Sequence, residues 1–161
     1  DSIPFEELCR QVKCLQLPHL DEMRELAGIV VNQETQALVD LFARKMSGMN
    51  SQTVRSYADA FQGISWGHDF KVPDNYESCG TRLAELTVDK MERQGVTLNS
   101  KDLENYFGAL SCFRRELPVE LSRRLVALGD KVLPALPDDE QLSGVKRIFD
   151  EIRRAIGQEN K

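Results

Sequence analysis

Residues 37–61, ALVDLFARKMSGMNSQTVRSYADAF, read as a leucine-rich helix, a short break and a second amphipathic helix; residues 82–110, RLAELTVDKMERQGVTLNSKDLENYFGAL, read the same way. Leu38, Leu41, Lys45 and Met46 recur 45 residues later as Leu83, Leu86, Lys90 and Met91. Met49-Asn50-Ser51 with Val54, Tyr57 and Ala60 recurs 49 residues later as Leu98-Asn99-Ser100 with Leu103, Tyr106 and Ala109. Pro73 recurs as Pro118, and a degenerate third copy runs through Leu125, Leu128 and Lys131 into Leu136, Asp138 and Leu142 with a shorter connection. The unit is one helix pair. A single pair cannot cover its own apolar faces, so stacking successive pairs is the physical solution.

Working outward, apolar residues keep helical spacing along the whole chain, and no stretch alternates like a strand. Eight helices are expected. The first, capped by Asp1 or Ser2, buries Phe5, Leu8, Cys9, Val12 and Leu15; the second opens at Pro18 and buries Leu20, Met23, Ala27 and Val30 before Asn32 interrupts. A third runs from about Gln33 to Met46, and a fourth begins after Asn50 or Ser51 with Val54, Tyr57, Ala58 and Phe61 inward. Gly63 to Val72 is the longest loop; Asp74 with Glu77 forms a capping-box pattern for the fifth helix, and Gly95 lies past its end. Asn99 and Ser100 cap the sixth, Pro118 begins a seventh that Pro134 stops, and Asp138 with Gln141 caps the eighth. The fold class is therefore all-α: one domain over residues 1–161, a right-handed α-solenoid of about four antiparallel helix pairs at about 2–31, 33–66, 73–115 and 118–157.

The segment [Leu/Met]-Asn-Ser, an aliphatic residue, then Tyr-x-x-Ala-[Phe/Leu], preceded by a leucine-rich helix, resembles the degenerate helix-pair repeats of heptatricopeptide and octotricopeptide proteins of organelles. It covers about Ala37 to Gly157, and HEAT-type pairs fit the same spacing. Those families serve mitochondrial or plastid RNA metabolism and organellar ribosomes, so the resemblance implies a mitochondrial-matrix setting and a place in an RNA-processing or ribosomal assembly. The chain opens on Asp1-Ser2-Ile3 without an initiator methionine, which leaves room for an upstream targeting segment.

Composition narrows the classes. With 161 residues the chain can bury roughly 70% of its unfolded surface, so it needs no metal or disulfide to fold. Cys9, Cys14, Cys79 and Cys112 form no C-x-x-C pair and fall at apolar helical positions, which predicts buried free thiols in a reducing, intracellular compartment. No apolar run approaches the length of a membrane span. Residues 1–80 hold 7 Lys/Arg against 12 Asp/Glu, while the remainder is balanced at 14 against 14, so only the second half can offer phosphate a basic face.

Few residues point to chemistry. Gly63-Ile64-Ser65-Trp66-Gly67 matches the nucleophile-elbow pattern, but that motif needs a strand before Ser65 and a helix directly after it, and no histidine follows His68 to complete the usual order. A hydrolase at Ser65 is the remote alternative. His68, Asp69 and Cys79 fall short of a four-ligand zinc site, and no phosphate-binding glycine loop is present. No catalytic residue, cofactor, metal or small-molecule substrate is expected.

Trp66, the only tryptophan, is a candidate wedge or partner anchor. Tyr57 and Tyr106, at equivalent positions, first suggest packing, with base stacking second. Arg114, Arg115, Arg123, Arg124, Lys146, Arg147, Arg153 and Arg154 form the best nucleic-acid case, weakened by Glu116, Glu120, Asp150 and Glu151 nearby. A non-enzymatic scaffold binding other protein subunits is the leading expectation, and a direct RNA-binding helical-repeat module is the alternative. If Arg115, Arg124, Lys146 and Arg154 share one face RNA gains; if they enter ion pairs it loses.

Overall fold

The computed structural model describes residues 20–64, 73–138 and 140–159. Among these residues there is no strand, and seven α-helices pack together: α1 (Leu20–Val31), α2 (Thr35–Lys45), α3 (Ser51–Ile64), α4 (Tyr76–Gln94), α5 (Ser100–Phe113), α6 (Val119–Val132) and α7 (Glu140–Glu159). The helix expected before Pro18 lies outside the described residues, as do Ser65, Trp66, His68 and Asp69 in the expected loop. No helix among the described residues is long and apolar enough to cross a membrane.

Helix ends follow their local chemistry. Asn50 Oδ1 accepts from the backbone N–H of Thr53 at 2.8 Å, and Asn99 Oδ1 accepts from that of Asp102 at 2.7 Å, so each asparagine satisfies one of the free N–H groups that open α3 and α5. Arg44 and Lys45 close α2, where cations oppose the negative end of the helix dipole. Pro118 stands immediately before α6 with a φ of −55°, its ring fixing the backbone for entry. The capping box expected from Asp74 and Glu77 does not form: α4 begins at Tyr76, and Asn75 in the cap position makes no side-chain capping bond. α3 also runs two residues into the loop expected from Gly63, taking in Gly63 and Ile64.

Three of the connections between successive helices share one form. A short 3-10 turn at Met46–Gly48, Gly95–Thr97 and Leu133–Ala135 is followed by an extended residue, Met49, Leu98 or Leu136. The N–H of that residue donates back to the carbonyl of Met46, Gly95 or Leu133 at 3.2, 3.1 and 3.1 Å. In α2 the turn begins eight residues after Leu38, and in α6 eight residues after Leu125, whereas in α4 it begins twelve after Leu83. The four extra residues are about one helical turn, which is why one half of the sequence match is offset by 45 and the other by 49.

Side-chain burial follows the repeated positions. Leu38 and Leu83, Met46 and Met91, Val54 and Leu103, Tyr57 and Tyr106, and Ala60 and Ala109 are all buried. The principal packings join helices one or two places apart: α1 with α3, α2 with α4, α3 with α5, α4 with α6 and α5 with α7, together with α1–α2, α2–α3, α4–α5 and α6–α7. The α3–α5 packing is the most extensive. An aromatic cluster locks four helices: Phe42 of α2 meets Tyr57 of α3 and Phe113 of α5 edge-on, while Phe61 of α3 contacts Phe113 and stacks on Tyr76 of α4 at 4.2 Å.

Two glycines permit close approach. A methyl group at Gly80 would lie 2.2 Å from the carbonyl oxygen of Phe113, so α4 meets the end of α5 at backbone distance. A methyl group at Gly129 would lie 2.6 Å from the ring of Phe149, which seats α7 on α6. Phe149 also meets Phe107 of α5 edge-on at 4.9 Å.

Candidate interaction surfaces

The eight basic residues singled out by sequence divide into two groups. Arg124 of α6 reaches α4: its Nη2 lies 2.5 Å from Asp89 Oδ1, and its Nε donates to Glu92 Oε2 at 3.2 Å. These hydrogen bonds, Glu92 first, hold the guanidinium even more firmly protonated than usual. Arg153 of α7 pairs with Asp130 of α6. Arg114 Nε donates to the carbonyl of Glu116 at 3.2 Å, and its Nη1 lies 3.9 Å from Glu77. These three arginines join separate parts of the fold.

Lys146, Arg147 and Arg154 are exposed and form no ion pair among the described residues. Lys146 and Arg153, and Arg147 and Arg154, are seven residues apart, two helical turns, so the four basic residues project from one side of α7 with Asp150 and Glu151 between them. Arg115 is exposed at the α5–α6 connection, between two open depressions of about 670 and 750 Å³. Tyr76, Cys112 and Phe113 contribute to the first, and Leu117, Val119, Ile152 and Ile156 to the second. Arg123 is exposed on α6. Of the four residues chosen to discriminate RNA from protein, then, Arg124 is engaged between helices, while Lys146 and Arg154 share a free helix side.

The paired tyrosines belong to the core. Both are fully buried, so neither ring is open to a base. The Tyr106 hydroxyl donates to Gln94 Oε1, and burial, with Asp102 nearby, pushes its pKa up to about 12. Cys79 is buried and Cys112 half-buried, both with free thiols whose pKa burial raises; this disfavours the reactive thiolate. Cys9, Cys14 and the proposed anchor Trp66 lie outside the described residues.

Polar groups that the sequence reading passed over join helices two places apart. Ser51 Oγ at the start of α3 donates to Asp102 Oδ1 of α5 at 2.8 Å and accepts from Asn105 Nδ2 at 3.0 Å. Lys90, 7% exposed, crosses from α4 to α2. Asp59 is held close to Arg55 at 3.6 Å; burial raises its pKa, which the arginine opposes. The visible signal for the serine cluster was the recurrence of Asn-Ser at 50–51 and 99–100, followed by Asp102 and Asn105 one turn apart.

Compared with protein-family models, with curated proteins and with solved structures, the chain matches none of them.

Proposed function

We propose that this chain is a right-handed α-solenoid of antiparallel helix pairs that serves as a non-enzymatic scaffold or adaptor subunit, binding other proteins of a larger assembly through its helical surface. The observation that carries this reading is the packing order: each helix rests on the one two places along, and the same 3-10 turn closes three successive pairs. Such stacking produces an extended surface with no enclosed centre, the usual form of a protein-binding array. Polar groups such as Ser51, Asp102, Lys90 and Arg124 serve the joints between pairs. The resemblance to organellar repeats adds a mitochondrial ribosomal or RNA-processing setting to the proposal.

Direct RNA binding is the second reading, favoured by the exposed Lys146, Arg147 and Arg154 on α7, which form no ion pair among the described residues. Affinity purification of the tagged protein from its own cells, with and without ribonuclease, separates the two. Protein partners that persist after ribonuclease support the scaffold; partners that vanish make RNA the tether. A direct RNA contact would further require binding that weakens steeply with salt and is reduced by Lys146→Ala with Arg154→Ala.

A further inference from the structure

The joint between α3 and α5 is latched at its start, whereas among the described residues the corresponding joint between α5 and α7 has no such latch. Ser51, at the first position of α3, has both hydroxyl partners supplied by α5, from Asp102 and Asn105. Ser100 occupies the same position in α5, is 3% exposed, and its Oγ has no hydrogen-bond partner.

The cause lies in α7. Leu103, Tyr106 and Leu110 of α5 are matched 39 residues later by Leu142, Val145 and Phe149, all buried. On that register Gln141 stands where α5 has Asp102, and Gly144 stands where it has Asn105. A methyl group at Gly144 would touch nothing within 4 Å. An open depression of about 390 Å³ lies there, bounded by Glu104, Glu140, Gln141, Gly144 and Arg147. Glu104 and Glu140 face this space with like charge.

Other contacts hold this end of the molecule further along. Phe149 sits between Phe107 and Gly129, and Arg124 fastens α6 to α4. Among the described residues α7 is held to α5 by apolar packing, with no side-chain hydrogen bond or ion pair between them, and an unsatisfied buried hydroxyl at the start of the joint favours any state that admits water.

We propose that the start of the α5–α7 joint is a built-in opening: the first two turns of α7 swing away from α5 about Phe149, exposing Leu142, Val145 and the Ser100 hydroxyl while the α3–α5 joint stays closed. This inference rests on the repeat correspondence and is independent of which partner the array binds.

Hydrogen–deuterium exchange with mass spectrometry on the full chain tests it, using wild type, Gly144→Asn and Gly144→Ala. Alanine improves helix propensity without an amide, so it is the control. In the wild type, residues 140–148 should exchange at least tenfold faster than residues 51–57. Gly144→Asn, which returns a donor to Ser100, should slow exchange at 140–148 by about fivefold more than Gly144→Ala, the scale of one buried hydrogen bond. Asn105→Ala should in turn speed exchange at 51–57 about fivefold. Equal protection of the two joints in the wild type, or Gly144→Asn behaving as Gly144→Ala, overturns the proposal. The purification experiment on partners is read separately and does not depend on either result.

Discussion

Lys90 Nζ donates to the backbone carbonyl of Met46 at 2.7 Å, carrying a charge from α4 to the end of α2. The Met46 carbonyl also accepts from the Met49 N–H and lies at the negative pole of α2, where a cation from α4 is favoured. Burial, reinforced by Arg93, lowers the Lys90 pKa from its usual 10.5. Between the lowered value and 10.5 the unfolded chain holds more protons than the folded one, so this group makes stability rise with pH in that window. Lys90→Met should remove that rise, read as a flatter stability profile in urea titrations just below pH 10.5. An unchanged slope would show that the ammonium is not desolvated.

Tyr106 acts in the opposite sense. Its folded pKa, about 12 against 10, means that its contribution is complete below pH 10 and is lost as pH climbs towards 12. That shift corresponds to about 2–3 kcal/mol. Tyr106→Phe should reduce the alkaline loss of stability between those values, and ultraviolet titration of the folded protein should lose a late-appearing phenolate signal on that substitution.

Gly80 and Gly28 should respond to alanine with opposite signs. At Gly80 the methyl group meets a backbone oxygen at 2.2 Å, which a side chain cannot sidestep, so Gly80→Ala should lose about 2–3 kcal/mol as α4 and α5 are forced apart. At Gly28, within α1, nothing lies within 4 Å, and Gly28→Ala should gain about 0.5–1 kcal/mol through helix propensity. Chemical denaturation of the two variants measures both.

Arg124→Gln should lower stability by about 1 kcal/mol in low salt, and by less as ionic strength rises, because its pairs with Asp89 and Glu92 are half-exposed. The same substitution should leave any RNA affinity nearly unchanged, since the guanidinium is already bound to two carboxylates. A large fall in RNA binding with this variant would place nucleic acid on the α4–α6 side.

Much of the architecture was legible because helix periodicity and capping act over a few residues. Asn50 and Asn99 cap as their positions suggest, and Leu38, Val54, Tyr57 and their counterparts are buried as the spacing requires. Asp74 failed as a cap because α4 starts at Tyr76, a boundary that sequence pattern fixes only to within a residue or two. The surface was harder to read. Arg123 and Arg124 look alike in sequence, yet only the fold sets Asp89 and Glu92 beside Arg124, 35 and 32 residues away. Of the Ser51 cluster the sequence shows only the Asn-Ser recurrence, because its partners are 51 and 54 residues distant. The offset between 45 and 49 held a further clue, the added turn in α4, which only the placement of the three 3-10 turns makes plain.

Packing that runs principally between helices one or two places apart also bears on how the chain acquires its form. Loop closures between such helices are modest, so the entropy of forming each packing is small, and assembly can start at the best-packed helices and spread to their neighbours. The aromatic cluster of Phe42, Tyr57, Phe61 and Phe113 marks the centre as that starting point. Ordering then spreads outward to α7, and a nascent chain leaving the ribosome would already hold this cohesive portion before α7 emerged.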